Sequence, residues 1–184
     1  MGKLVVTEFV SIDGVFEDPG GAEDYEHGGW TFEYDRGEDG NKFKMDELTE
    51  AEAQLLGRVT YEGFAAAWPN MNQDEFGQKM NSMPKYVISS TLQDAEWENS
   101  TVIAFDEILG LQTRHAGDIL IAGSGQLVRG LLAADLLDEL RLMVYPVVLG
   151  GGQRLFGDTD HPHKLKLADM APAGETVILT FARA

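Results

Sequence analysis

Three glycine-bearing segments, Gly57-Arg58-Val59-Thr60-Tyr61-Glu62, Gly123-Ser124-Gly125-Gln126 and Leu149-Gly150-Gly151-Gly152, each follow an apolar run that reads as a buried strand. A strand that delivers a glycine-rich turn and then a helix aims free backbone N–H groups at whatever lies beyond the sheet edge. The positive end of the helix dipole points the same way. Two such turns in one chain predict a phosphate-bearing ligand with the reach of a dinucleotide. Gly57 allows a tight turn, and Arg58 and Thr60 stand where a phosphate would meet a cation, a hydroxyl and free amides together. Ser89 and Ser90, just past another apolar run, offer hydroxyls to a 2′-phosphate or a ribose. Gly123, Ser124 and Gly125 permit close backbone approach, and Gln126, Leu127 and Val128 open the helix that would face a pyrophosphate.

The second turn is not a Rossmann fingerprint. Val128 occupies the third glycine position, and no acid caps a following strand about 20 residues on. With Arg58 and nearby hydroxyls in place of a ribose-binding acid, the pattern favours NADPH over NADH. Other polar clusters carry less. His161-Pro162-His163 with Asp158 and Asp160 has metal-ligand residue types but reads as a solvated turn, and no metal is predicted. Asp35, Glu38, Asp39 and Asn41 resemble a calcium loop in composition only, without its spacing or closing Glu. The leucines at 127, 131, 132 and 136 are core at helical spacing.

The elements that must position these residues alternate between short apolar runs and helical spacing, the pattern of an α/β protein. Strands are predicted at Leu4–Ser11, Ala51–Leu56, Lys85–Ser89, Thr101–Ala104, Asp118–Ala122, Glu139–Val148, Lys164–Met170 and Thr176–Ala182. Helices are predicted at Asn41–Glu50, Arg58–Ala67, Asp74–Ser82, Asp106–His115 and Gly125–Ala134. Helices separate strands in the first two thirds, whereas the end is strand after strand, so the sheet should be mixed. Val15–Gly40 lacks periodicity and reads as a long loop. Its Tyr25, Trp30, Phe32 and Tyr34 favour a loop lying over a pocket.

The 184 residues suit a single domain spanning 1–184, with 43% hydrophobic and 9% aromatic residues. No apolar run approaches a membrane span, and Leu4–Val10 is too short and too interrupted by Glu8 to be a signal-peptide core, so a cytoplasmic protein is expected. With no cysteine, redox chemistry must come from a bound cofactor. A net charge of −17 argues against nucleic acid as partner. The segment from Glu17 to Glu50 holds 12 acids against Arg36, Lys42 and Lys44; such a surface suits either a high-salt habitat or ordinary solubility.

Five segments in order, Ser11-Ile12-Asp13-Gly14, Leu55-Leu56-Gly57-Arg58-Val59-Thr60-Tyr61-Glu62, Lys85-Tyr86-Val87-Ile88-Ser89-Ser90, Ile121-Ala122-Gly123-Ser124-Gly125 and Tyr145-Pro146-Val147-Val148-Leu149-Gly150-Gly151-Gly152, resemble the dihydrofolate reductase-like family that includes the C-terminal reductase domain of the riboflavin-biosynthesis protein RibD. The resemblance implies a three-layer α/β fold, a mixed sheet of about eight strands with helices on both faces. It also implies an NADP(H) site along the C-terminal ends of the central strands, and a homodimer, to which the apolar run Leu140–Leu149 also points. Asp13 is the family-matched acid for catalysis or substrate contact, although Asp-Gly is also a common turn. Gly150 and Gly151 lie either near the active-site end or in a plain bend between strands, and Trp30 and Tyr34 are substrate-pocket candidates by position.

Two readings follow. One is an NADPH-dependent reductase of a small heterocyclic or carbonyl substrate, pterin-like or ribosylaminopyrimidine-like, as in 5-amino-6-(5-phosphoribosylamino)uracil reductase or dihydrofolate reductase. The other is a non-catalytic nucleotide-binding or dimeric stress-related protein on the same fold. The chain carries no zinc-deaminase His/Cys signature of the kind that accompanies the riboflavin enzyme.

Overall fold

The computed structural model describes Met1–Ala184. Eight strands form one sheet: β1 (Leu4–Ser11), β2 (Ala51–Gly57), β3 (Lys85–Ile88), β4 (Ser100–Ile103), β5 (Asp118–Ala122), β6 (Glu139–Tyr145), β7 (Leu165–Ala173) and β8 (Thr176–Arg183). Their order is β4-β3-β2-β5-β1-β6-β8-β7. The first six are parallel, and β8 pairs antiparallel with β6 and β7. The helices are α1 (Gly37–Glu50), α2 (Arg58–Ala67), α3 (Glu75–Ser82), α4 (Ile108–Arg114) and α5 (Gly125–Ala133).

Alternation along β1 divides the core, because successive side chains leave a strand on opposite faces. Leu4, Val6 and Val10 join Ile108 and Leu111 of α4 and Leu127, Val128 and Leu131 of α5 in one cluster. Val5 faces the other way and packs with Leu48 of α1, Tyr61 of α2 and Met80 of α3. The sheet is thus the middle of three layers. No helix is long and apolar enough to cross a membrane.

The structure departs from the sequence expectation in two places. The segment 15–40 is not all loop: Trp30–Glu33 forms a 3₁₀ turn, and α1 begins at Gly37. A third core cluster of Trp30, Met143, Tyr145, Ala173 and Ile178, with Tyr25 and Tyr34 packed against it, holds this segment down. Secondly, β6 ends at Tyr145 rather than Val148. Its buried residues Leu140, Met143 and Tyr145 are covered by the chain's own clusters, so this run does not by itself require a second subunit.

Candidate functional site

Strand register brings the separate motifs to one line. Gln54 of β2 pairs with Leu120 of β5, so three residues on Gly57 stands beside Gly123. Gly57 itself pairs with Ile88 of β3, which puts Ser89 and Ser90 just beyond the same edge. Thr7 of β1 pairs with Ala122, so the next residue, Glu8, lies level with Gly123 where β5 ends. In a parallel sheet these are all C-terminal strand ends, the edge at which ligands bind in open α/β sheets.

At this edge the two glycine turns are bonded together. The Gly57 N–H donates to Ser124 Oγ at 2.8 Å, so the hydroxyl that precedes α5 caps the start of α2. Gly123 has φ +65° and Ser124 φ +64°, two successive left-handed residues that swing the chain out of β5 and into α5. A Cβ on Gly123 would press on Thr60 of α2, and one on Gly125 would run into the Phe16 ring. The N-termini of α2 and α5 therefore open side by side, each with first-turn amides that have no partner inside the helix. Their two dipoles favour the same anionic ligand.

The remaining sequence-predicted anion ligands surround this pair. Arg58 opens α2, half-exposed, with its guanidinium forked on Glu62 at 2.9 and 3.0 Å. Thr60 lies in the first turn of α2 against Gly123. The Ser89 hydroxyl accepts from the Thr91 and Leu92 amides and lies 3.4 Å from the Thr91 hydroxyl, and Ser90 is exposed. Gln126 is exposed in the first turn of α5, whereas Leu127 and Val128 are buried and can offer only backbone.

Asp13 is engaged by the backbone. Its carboxylate accepts from Ser11 Oγ at 2.6 Å, Leu149 N at 3.1 Å and Gly150 N at 2.9 Å, and Arg154 lies 3.8 Å away. The Ser11 hydroxyl above all holds the carboxyl down at about 2; burial opposes it, and the Gly150 and Leu149 amides help. A carboxyl that stays ionised at neutral pH has no proton to give, and the bonds define a latch. The latch continues as a zipper in which Phe16 N donates to Gln153 O, Leu155 N to Gly14 O and Gln153 N to Glu17. Tyr25 donates to Gly151 O at 2.7 Å. Gly150 and Gly151 thus form a clamped turn against segment 13–25.

Trp30 is corrected from pocket wall to core anchor. It is buried, its indole N–H donates to Glu17 O at 2.9 Å, and its ring meets Tyr145 edge-on at 5.4 Å. Tyr34 also packs on Tyr145, at 6.1 Å, and is half-buried. A cleft of about 600 Å³ lies on the α1–α3 face, lined by Arg36, Asn41, Lys44 and Met45 on one side and by Trp68 and Phe76 on the other. Arg36 Nε donates to Asn41 at 2.6 Å, and Lys44 donates to Thr7 Oγ1 at 3.0 Å and pairs with buried Glu47.

The profile of the RibD C-terminal domain matches residues 2–179. The chain belongs to the RibD C-terminal domain family. Among curated proteins it is 29% identical to the uncharacterized protein YwjB of Bacillus subtilis (strain 168), over 99% of this chain and 98% of that one. It is 28% identical to the uncharacterized protein YyaP of the same organism, over 91% and 87%. Among solved structures it is similar to a putative riboflavin biosynthesis protein from Shewanella sp. PV-4, with TM-score 0.77 and 19% identity, covering 100% and 99% of the two chains. A pyrimidine reductase-like protein from Corynebacterium diphtheriae follows at TM-score 0.60 and 14% identity, covering 98% and 91%. Dihydrofolate reductase from Enterococcus faecalis, complexed with NADP(H) and RAB-propyl, superposes at TM-score 0.58 and 18% identity, covering 99% and 96%. The dihydrofolate reductase-like three-layer fold read from the motifs is therefore the fold of this RibD C-terminal domain.

Sequence reasoning missed Glu8. In this RibD C-terminal domain Glu8 is 6% exposed, on the same face of β1 as Leu4, Val6 and Val10, and its Oε1 has no hydrogen-bond partner. Burial pushes its carboxyl up to about 8, although the Gly123 amide and Lys44 pull the other way. A signal was available, because one acid interrupts an otherwise apolar buried face at the end of the first strand. It is legible only once both faces of that strand are known to be covered.

Proposed function

We propose that this RibD C-terminal domain is an NADPH-dependent reductase that delivers hydride to a small heterocyclic or carbonyl substrate, pterin-like or ribosylaminopyrimidine-like. The observation that carries this reading is the Gly57–Ser124 bond, which holds the N-termini of α2 and α5 side by side at the C-terminal ends of β2 and β5. A ligand with two phosphates finds two sets of amides there, and Arg58 and Ser89 stand where a 2′-phosphate would add its charge. The fit is supported by backbone that Gly123 and Gly125 bring close without side chains. The similar dihydrofolate reductase from E. faecalis is itself complexed with NADP(H). When bound, NADPH supplies the hydride.

The chain's own residues bind, orient and exclude water. Lys44, Asn41 and Arg36 give the cleft on the α1 face polar contacts for a heteroaromatic or carbonyl group, and Trp68 and Phe76 give it apolar walls. The Asp13 latch holds the 149–155 turn against the 13–17 segment and so closes the rim between β1 and β6. A non-catalytic nucleotide-binding protein is the second reading, favoured by the engagement of Asp13 in that latch. A cytoplasmic setting suits a chain without cysteine, and a homodimer is supported by the edge strand β7, where Leu167 and Met170 are 59% and 62% exposed.

The deciding experiment is a calorimetric titration with NADPH, and with NADH as control, at low and high salt because the acidic surface repels anionic ligands. Micromolar binding of NADPH, tighter than NADH, is expected. No heat with either at any salt overturns the reductase reading and the nucleotide-binding one together.

A further inference from the structure

We propose that Lys85 is a positioning residue for the cleft on the α1–α3 face: its buried ammonium, acting through Asn81 and Trp97, sets the α2–α3 wall. The use of that cleft for substrate rests on the reductase reading above. Lys85 opens β3 and has 0% of its surface exposed. Its Nζ donates to Asn81 O at 2.7 Å, Met83 O at 2.9 Å and Glu98 O at 2.9 Å, which engages every ammonium proton. The same atom lies over the Trp97 ring, 4.2 Å from its centre. No carboxylate pairs with it, and Glu98 acts on it only from a distance.

A charge of this kind is costly to bury and does not sit in a core merely to fill space. Here it closes a helix end. Asn81 is in the last turn of α3 and Met83 follows that helix, so two of the accepting carbonyls belong to its C-terminus, where a cation is favoured. The third, from Glu98, ties in the segment that leads to β4.

From this knot the contacts run to the cleft. Asn81 Oδ1 accepts from the Trp97 indole N–H at 2.8 Å, and Asn81 Nδ2 donates to Trp68 O at 2.9 Å. Trp97 N donates to the hydroxyl of Tyr61, on α2, at 2.9 Å. Trp68, between α2 and α3, and Phe76 of α3 form the apolar wall of the cleft, with their rings 5.6 Å apart. Lys85 thus fixes Asn81 and Trp97, and Asn81 in turn fixes Trp68. The groups that face the knot are the Tyr61 phenol from α2, the carbonyls at the end of α3, Glu98 from the segment before β4, and neutral Gln54 of β2, which pairs in register with Lys85.

The tryptophans supply the test. The chain holds Trp30, Trp68 and Trp97, which lie in a separate core cluster, on the cleft wall and against the ammonium respectively. In protein labelled with 5-fluorotryptophan, each ¹⁹F signal is assigned by its loss on substitution with phenylalanine. Lys85→Met is expected to move the Trp97 and Trp68 signals and to leave Trp30 in place. In an Asn81→Ala background, Lys85→Met should still move Trp97 but no longer Trp68. A Trp68 signal that ignores Lys85→Met overturns the proposal. If Lys85→Met does not fold, the wild-type protein reads the same coupling. Burial lets Lys85 release its proton at about 8. From about pH 7 to 9.5 the Trp97 and Trp68 signals should therefore shift with one midpoint while Trp30 stays. A Trp68 signal without that midpoint is then the overturning result.

Turnover gives a second readout. In a panel of pterins, ribosylated pyrimidines and small carbonyls with NADPH, Lys85→Met should raise KM about tenfold, keep kcat within about threefold and leave NADPH affinity within about twofold. An unchanged KM for a substrate that turns over refutes the positioning role. The ¹⁹F shifts need neither cofactor nor substrate, so failure of the reductase reading, seen as no cofactor binding, is distinct from failure of this proposal.

Discussion

The Gly57 amide donates to the Ser124 hydroxyl 2.8 Å away, across 67 residues of chain. This one bond joins two separate strand–turn–helix units into a single edge at which the N-termini of both helices open. It also explains why the second turn carries a serine between its glycines: Ser124 gives up a favourable backbone conformation, at φ +64°, to place its oxygen on the neighbouring turn.

Replacing Ser124 separates those two effects. Ser124→Ala is expected to cost about 1–2 kcal/mol in a denaturant titration, because the Gly57 amide loses its partner. NADPH affinity should fall several-fold as the two helix starts lose their alignment. Ser124→Gly loses the same bond but relieves the left-handed backbone, so it should destabilise less than alanine while weakening NADPH equally. Equal stability losses for the two variants would mean that the backbone is not strained.

Asp13 should report its latch through pH. Its folded value lies below the ordinary carboxylate range, at about 2, so it contributes stability that is fully present above pH 4 and is lost as pH falls toward 2. Asp13→Asn should lower Tm at pH 7 and flatten the fall in Tm between pH 4 and 2. It should also speed amide hydrogen exchange at Leu149 and Gly150, whose N–H groups it accepts. An Asp13→Asn protein with unchanged exchange at both amides would dismiss the latch.

Glu8 predicts the opposite slope. Its folded value of about 8 exceeds the unfolded value near 4.5, so the folded state holds a proton that the unfolded state has released over that interval. Stability from this group declines as pH rises from about 4.5 to 8 and levels off above. Glu8→Gln should remove the decline and be at least about 1 kcal/mol more stable than wild type at pH 8. Chemical denaturation at pH 5, 6.5 and 8 measures it, and parallel pH profiles for the two proteins would contradict it.

Arg58 reaches a 2′-phosphate only by leaving Glu62, with which it forms an exposed fork of little net strength. Arg58→Ala should weaken NADPH about tenfold more than NADH. Glu62→Gln should tighten NADPH a few-fold, since it frees the guanidinium and removes a like charge from beside the phosphate. Calorimetry with both cofactors reads the difference, and equal effects on NADPH and NADH would remove Arg58 from the 2′ position.

All eight strands and all five helices were legible in the chain, because each carries its own local period and its own turn residues. Arg58–Ala67 begins at the glycine that stops β2, and Asp74 caps α3 by accepting from Gly77. The glycine turns were legible as turns for the same reason. Segment 15–40 was misread in part, since the 3₁₀ turn at Trp30 follows no period of its own and is held by Tyr145, 115 residues away.

By itself the sequence determined an α/β succession, a chain free of thiols and strongly acidic, and two glycine turns that open helices. These are local or compositional properties that need no partner to be read. Only the tertiary structure decided what each polar group does, because a carboxylate's protonation is set by what packs around it. Asp13 and Glu8 are five residues apart on one strand and its turn. One meets a hydroxyl and two amides and stays charged, while the other is buried beside Gly123 and keeps its proton. Strand register placed Gly57, Gly123 and Glu8 in one row, and no local pattern could have brought them together.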